Sequence, residues 1–96
     1  MNVDSYKQLK TEAIIEDIKN FLDNGKMVNI SSGCVNDTIL SYKEEIEHIN
    51  NCYGGYNKKS YVFITTACIF PKEIKLENFQ KVDYEEWKGN IFIEVL

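Results

Sequence analysis

A chain of 96 residues has the size of one domain, and at 44% hydrophobic and 12% aromatic it holds enough apolar material for a core without a metal or disulfide staple. The formal charge is −4 and all 11 basic residues are lysines. With no guanidinium fork to grip phosphate or guanine, and no positive surplus to attract a polyanion, the composition argues against nucleic acid as a partner.

Asp4 or Ser5 is a candidate cap for a first helix, in which Leu9, Ile14, Ile15, Ile18, Phe21 and Leu22 recur at three- and four-residue steps. Asn24 and Gly25 end it. Lys26 to Ile30 reads as a short strand, and Ser31, Ser32, Gly33 and Cys34 as a polar loop. Ile39, Tyr42, Ile46 and Ile49 return to helical spacing, so a second helix is expected from Asp37 to Asn50, with Asn36 or Asp37 as a candidate cap and Ser41 with Glu44 also placed as a capping box. Asn50 to Lys59, with paired asparagines and glycines, reads as a loop. Ser60 to Phe70 is rich in β-branched and aromatic residues and predicts a central strand stopped by Pro71. Beyond it come a short strand at Glu73 to Leu76, a helical turn over Asp83 to Lys88 capped by Asp83, and a last strand from Asn90 to Leu96.

These elements predict one α+β domain over residues 1–96: a small mixed sheet of three to four strands with two helices packed on one face. The first two strands, joined through a helix, would form a right-handed parallel crossover. No internal repeat or low-complexity tract is visible. The longest apolar run, Tyr61 to Phe70, contains Thr65 and Thr66 and is far short of the ~20 residues that span a bilayer. Residues 1–10 show no apolar stretch behind a basic patch, and Cys34, Cys52 and Cys68 are an odd number at spacings that suggest no disulfide framework. A cytoplasmic setting without a membrane partner follows as the expectation. Abundant Lys, Ile and Asn beside absent Arg match the codon usage of an AT-rich bacterium, or of a phage or other mobile element within it.

Candidate chemistry is sparse. Ser31, Ser32, Gly33 and Cys34 would lie between a strand and a helix, where amides can cradle a small anion and favour a thiolate at Cys34. A phosphatase-type cysteine loop needs an arginine six residues on, and Leu40 stands there; the only histidine, His48, has no evident orienting partner in sequence. His48, Cys52, Cys34 and Cys68 have the count for a zinc set but no close cysteine pair, so no metal or cofactor is expected. Glu44, Glu45, Glu47, Asp83, Glu85 and Glu86 offer no pair that stands out as an acid–base couple. The aromatic residues say more. Tyr53 and Tyr56 flank a glycine pair, and Tyr84 and Trp87 sit among Asp83, Glu85 and Glu86. Tyrosine and tryptophan in polar segments supply large contact area at low entropic cost, and acidic neighbours favour a basic partner surface.

The expectation is therefore a small, acidic, non-catalytic binding protein that occupies a protein surface, as immunity proteins, antitoxins and phage-borne anti-defence inhibitors do, with self-association as a homodimer also open. Two alternatives stay beside it: a domain that sequesters a small molecule or nucleotide signal at Ser31–Cys34, and an enzyme dependent on Cys34.

Overall fold

The computed structural model describes residues 3–96, with side chains from Lys10 onward. Helix α1 (Val3–Asp23) forms where the apolar periodicity predicts it, and Ile14, Ile15 and Ile18 are its buried stripe. It begins before Asp4 and Ser5, so both lie within its first turn; their side chains, and that of Leu9, are outside the described ones. At the other end Gly25 N–H donates to Leu22 O and Lys26 N–H to Phe21 O, both at 3.0 Å, the paired bonds that close a helix on a left-handed residue.

The remainder is strand. β1 (Val28–Ser32), β2 (Val35–Asn51), β3 (Gly54–Thr65), β4 (Glu73–Ile74), β5 (Val82–Trp87) and β6 (Asn90–Val95) form one six-stranded sheet in the order β4-β3-β2-β1-β6-β5. A 3₁₀ turn, Leu76–Asn78, lies between β4 and β5 in the chain. β1 and β6 pair in parallel, Val28 with Ile91 and Ile30 with Ile93, and every other neighbouring pair is antiparallel.

This overturns the expected sheet of three to four strands with two helices. Residues 37–50 are not a second helix but the body of the 17-residue strand β2, which folds back on β1 through a Gly33-Cys34 turn and pairs on its other side with β3. The supposed loop over residues 50–59 is a Cys52-Tyr53 turn and the first half of β3, and β3 ends at Thr65 rather than at Phe70. No parallel crossover joins β1 to β3, because β2 lies between them. Asp83–Lys88 is not a helical turn: Lys88 (φ 51°) and Gly89 (φ 81°) are both left-handed, as a two-residue hairpin turn with the twist of its flanking strands requires, and they set Val82–Trp87 against Asn90–Val95. The short strand expected at Glu73 to Leu76 is reduced to Glu73 and Ile74.

The core lies between α1 and one face of the sheet. Val28 and Ile30 of β1, Ile39 of β2, Phe63 of β3 and Ile91, Ile93 and Val95 of β6 alternate inward against the helix stripe, and Leu76 of the 3₁₀ turn joins them. A break in register between Ile39 and Ser41 lets β2 carry Tyr42 on the same side. There the Tyr42 hydroxyl donates to the Asp23 carboxylate at 3.0 Å and Lys19 Nζ lies 3.6 Å from the centre of the Tyr61 ring, which fixes the helix end to the sheet. Among the described residues no helix is long and apolar enough to cross a membrane.

Candidate partner-binding surface

Beyond Glu45 and Ser60 the β2–β3 hairpin leaves the body of the domain. From Ile46 and Lys59 to the turn the two strands pair only with each other, a ribbon of roughly 20 Å. Its base is braced by the ion pairs Lys43–Glu73, Lys75–Glu45 at 2.9 Å and Lys59–Glu44 at 3.3 Å. Farther out, Glu47 lies opposite Lys58 and His48 opposite Asn57. The His48 ring lies over Gly55, where a Cβ would stand 2.6 Å from Nε2, and its two nitrogens meet Asn57 Oδ1 at 2.9 Å and Asn50 Oδ1 at 3.0 Å. A glycine is thus needed at position 55 for the ring to cross the ribbon.

The tip that this arm presents, residues 50–57, is uncharged and made of Asn, Cys, Tyr and Gly. Tyr53 in the turn is 95% exposed and Tyr56 is 52% exposed; Ile46, on the shaft, is 63% exposed. Such a tip offers aromatic area and adaptable amides with no charge to desolvate, the chemistry of antibody-type contact loops.

The second predicted cluster, Asp83 to Trp87, is strand β5 at one edge of the sheet. Alternation divides it between two faces. Tyr84 and Glu86 turn toward α1: the Tyr84 hydroxyl donates to Asp17 at 2.6 Å, which holds the phenol pKa above its usual value, and Glu86 pairs with Lys26 at 3.1 Å. Asp83, Glu85 and Trp87 take the opposite face, where no helix lies among the described residues. Lys10 reaches past the edge to Asp83 at 2.6 Å, and this hydrogen bond, with the charge of Lys81, keeps the carboxyl below its ordinary range although partial burial opposes it. Trp87, at the hairpin end, is 63% exposed.

The arm and the β5–β6 turn are at the same end of the sheet, since β2 descends and β6 begins at the level of Val28. They are not one patch. Three strand spacings separate β2 from β5, and the arm carries Tyr53 a further two to three tens of ångströms outward, so Tyr53 and Tyr56 stand apart from Asp83–Trp87.

Ser31 and Ser32 end β1, and Gly33 and Cys34 are a hairpin turn with a strand on each side. Because no helix follows, neither the helix dipole nor a row of first-turn amides is available to an anion or a Cys34 thiolate there. Cys34 is at one end of the sheet, Cys52 is at the arm tip beyond the other, and Cys68 is in the segment after β3, so the three cannot join His48 on one metal ion. His48 and Cys52, four apart on extended chain, are roughly 13 Å from each other rather than stacked on a helix turn. Among the described residues no group of three His, Cys, Asp or Glu side chains is placed to hold a metal.

Sequence reasoning misses two features. One is Asp37, buried on the core side of β2, whose carboxylate accepts from the backbone N–H groups of Cys68 (3.1 Å), Ile69 (3.0 Å) and Phe70 (2.7 Å) and from Thr66 Oγ1 (2.9 Å). Burial alone would raise its pKa; the Ile69 and Phe70 amides, with Thr66 and Cys68, outweigh that and bring it down to about 2. The other is the uncovered sheet face, where Phe92 of β6 lies in a depression of about 340 Å³ bounded by Ser31, Asp83, Glu85 and Glu94. A larger groove of about 500 Å³ beside β4 is lined by Val62, Phe70, Ile74 and Phe79 together with Glu45 and Lys75. Period-two alternation over Asn90 to Leu96 is the one sequence signal that points to Phe92.

Comparison of the chain with protein-family models, with curated proteins and with solved structures gives no match.

Proposed function

We propose that the domain is a non-catalytic protein-binding module that acts by occupying a partner's surface, with the tip of the β2–β3 arm as its principal contact. The observation that carries this reading is the arm itself. A two-stranded ribbon is marginally stable alone in water, and this one extends roughly 20 Å from the core to present an uncharged tip with two exposed tyrosines. It contributes little to the packing of its own domain, so its stability is spent on reach. Such a contact masks a partner by area and shape, and it needs no acid–base pair, nucleophile or bound ion.

The test is affinity capture of the tagged protein from extract of the cells it comes from, side by side with the Tyr53→Ala/Tyr56→Ala variant. The wild type is expected to retain one protein in stoichiometric amount, and the variant to retain it about tenfold less or worse, given what buried interface tyrosines contribute. Both should unfold at the same temperature. Equal retention by the two proteins removes the arm from the interface. A nucleotide or other small anion that raises the melting temperature of the purified protein, or fast selective alkylation of Cys34 near neutral pH, replaces the reading by one of its two rivals.

A further inference from the structure

We propose that β5 is a second docking site, which takes an extended segment of a partner protein bearing lysine or arginine at alternate positions as a seventh strand of the sheet. The proposal rests on the reading of the domain as a protein-binding module and assigns it a further surface and the charge of the segment that fits there. Among the described residues β5 has β6 on one flank and no strand on the other, so alternate residues turn backbone N–H and C=O groups outward without a ladder partner.

Edges of this kind are ordinarily blunted by shortness, by a bulge, by proline or by lysine on the strand. The opposite edge of this sheet follows that rule, since β4 is two residues long. β5 does not. It runs six residues in unbroken register with β6, contains no proline, and its charged residues are all carboxylates, Asp83, Glu85 and Glu86.

The charge on the uncovered face selects the occupant. Asp83 and Glu94 are direct cross-strand neighbours, and Lys10 and Lys81 already pair with Asp83. Glu85 and Glu94 have no ion-pair partner among the described residues, and both border the depression over Phe92. A cation on an added strand opposite Glu85 would answer these carboxylates, and its stem would lie on Phe92. A second copy of the chain is the wrong occupant. In an antiparallel two-fold pairing of β5 with itself, which matches residues of one face, centring on position 85 sets Glu85 against Glu85, and centring on position 84 sets Asp83 against Glu85.

The experiment uses the full chain and two synthetic peptides, Thr-Lys-Val-Lys-Val-Lys-Thr and its counterpart with Glu in place of each Lys, both with blocked ends. Binding is followed by amide chemical shifts and hydrogen exchange. The lysine peptide is expected to slow exchange of outward amides within residues 82–87, to bind less tightly as salt is raised, and to outcompete the glutamate peptide. Glu85→Lys should weaken it by about tenfold, while melting as the wild type does. The Tyr53→Ala/Tyr56→Ala protein should bind the peptide unchanged, so that failure at the edge and failure at the arm are told apart. Equal binding of the two peptides, protection confined to residues 54–59, or a concentration-dependent dimer abolished by Glu85→Lys each overturns the proposal.

Discussion

Asp37 shows how one short side chain can organise a segment thirty positions away. Its two carboxylate oxygens gather the amides of residues 68–70 and the Thr66 hydroxyl, and so hold the irregular run between β3 and β4 against the sheet. Asp37→Asn keeps the size but supplies only one acceptor oxygen, and it exchanges charge-assisted hydrogen bonds for neutral ones. The expected outcome is a clear fall in melting temperature at pH 7, with faster hydrogen exchange at Cys68, Ile69 and Phe70. Because the folded pKa is depressed to about 2 from 3.8, the charged form's contribution is fully present above about pH 4 and is lost as the pH falls toward 2. Denaturant titrations of the two proteins at pH 7, 4 and 2.5 check this: their stability difference should shrink in acid, and a difference that stays constant would show that charge is not the cause. In sequence, Asp37 reads as a candidate helix cap. The chemistry is the same, a short acid satisfying orphan amides, but the amides belong to a distant segment, and nothing local to residues 36–38 can reveal that.

At the scale of elements, the arm is the part hardest to read. Ile39, Tyr42, Ile46 and Ile49 have helical spacing and the residues between them include Lys and Glu, good helix formers, so local preference and final structure disagree over residues 37–50. A ribbon exposed on both faces has no core side, and therefore no alternation of apolar and polar residues to announce it. What holds it is cross-strand pairing, a relation between residues 3 positions apart at the tip and 13 at Ile46 and Lys59, which a helical spacing within 37–50 does not reveal. The same holds for β5, whose charged run resembles a capped helical turn until the Lys88-Gly89 turn is seen to face it toward β6. α1 and β6, by contrast, are legible, because each packs one face on the core and carries the matching period. Of the candidate surface, the tyrosines and Trp87 are identifiable by type, but not their separation, which depends on strand order. The arm's own prediction concerns Gly55. Gly55→Ala should push the His48 ring off the ribbon and break its contacts with Asn50 and Asn57, loosening the arm by roughly 1–3 kcal/mol. Global stability should move by no more than about 0.5 kcal/mol, since the arm opens apart from the core. Hydrogen exchange in residues 46–59, compared with the melting transition, separates the two effects; a matching fall in both would mean that arm and core unfold as one unit.

The molecule as a whole is longer than its chain length requires. A compact domain of this length has a radius of gyration of about 12.5 Å, whereas this one has 14.4 Å and a longest axis of 47 Å. The arm accounts for the excess. Replacing residues 46–59 by an Asn-Gly turn between Glu45 and Ser60 keeps the braced base and should leave a domain that still melts in one transition, within a few degrees of the full chain, and whose scattering radius has dropped toward the compact value. Loss of cooperative melting would mean that the ribbon helps to hold the sheet together.

The placement of β6 sets a schedule for assembly. The last strand is slotted into the interior of the sheet, between the first strand and the β5 edge. During synthesis the β1–β2–β3 meander can pair as it emerges, yet one flank of β1 stays bare until a segment made some sixty residues later arrives to cover it. A stalled or clipped nascent chain lacking that segment would therefore expose the hydrogen-bonding flank of Val28 to Ser31, a sticky intermediate and a natural substrate for chaperones.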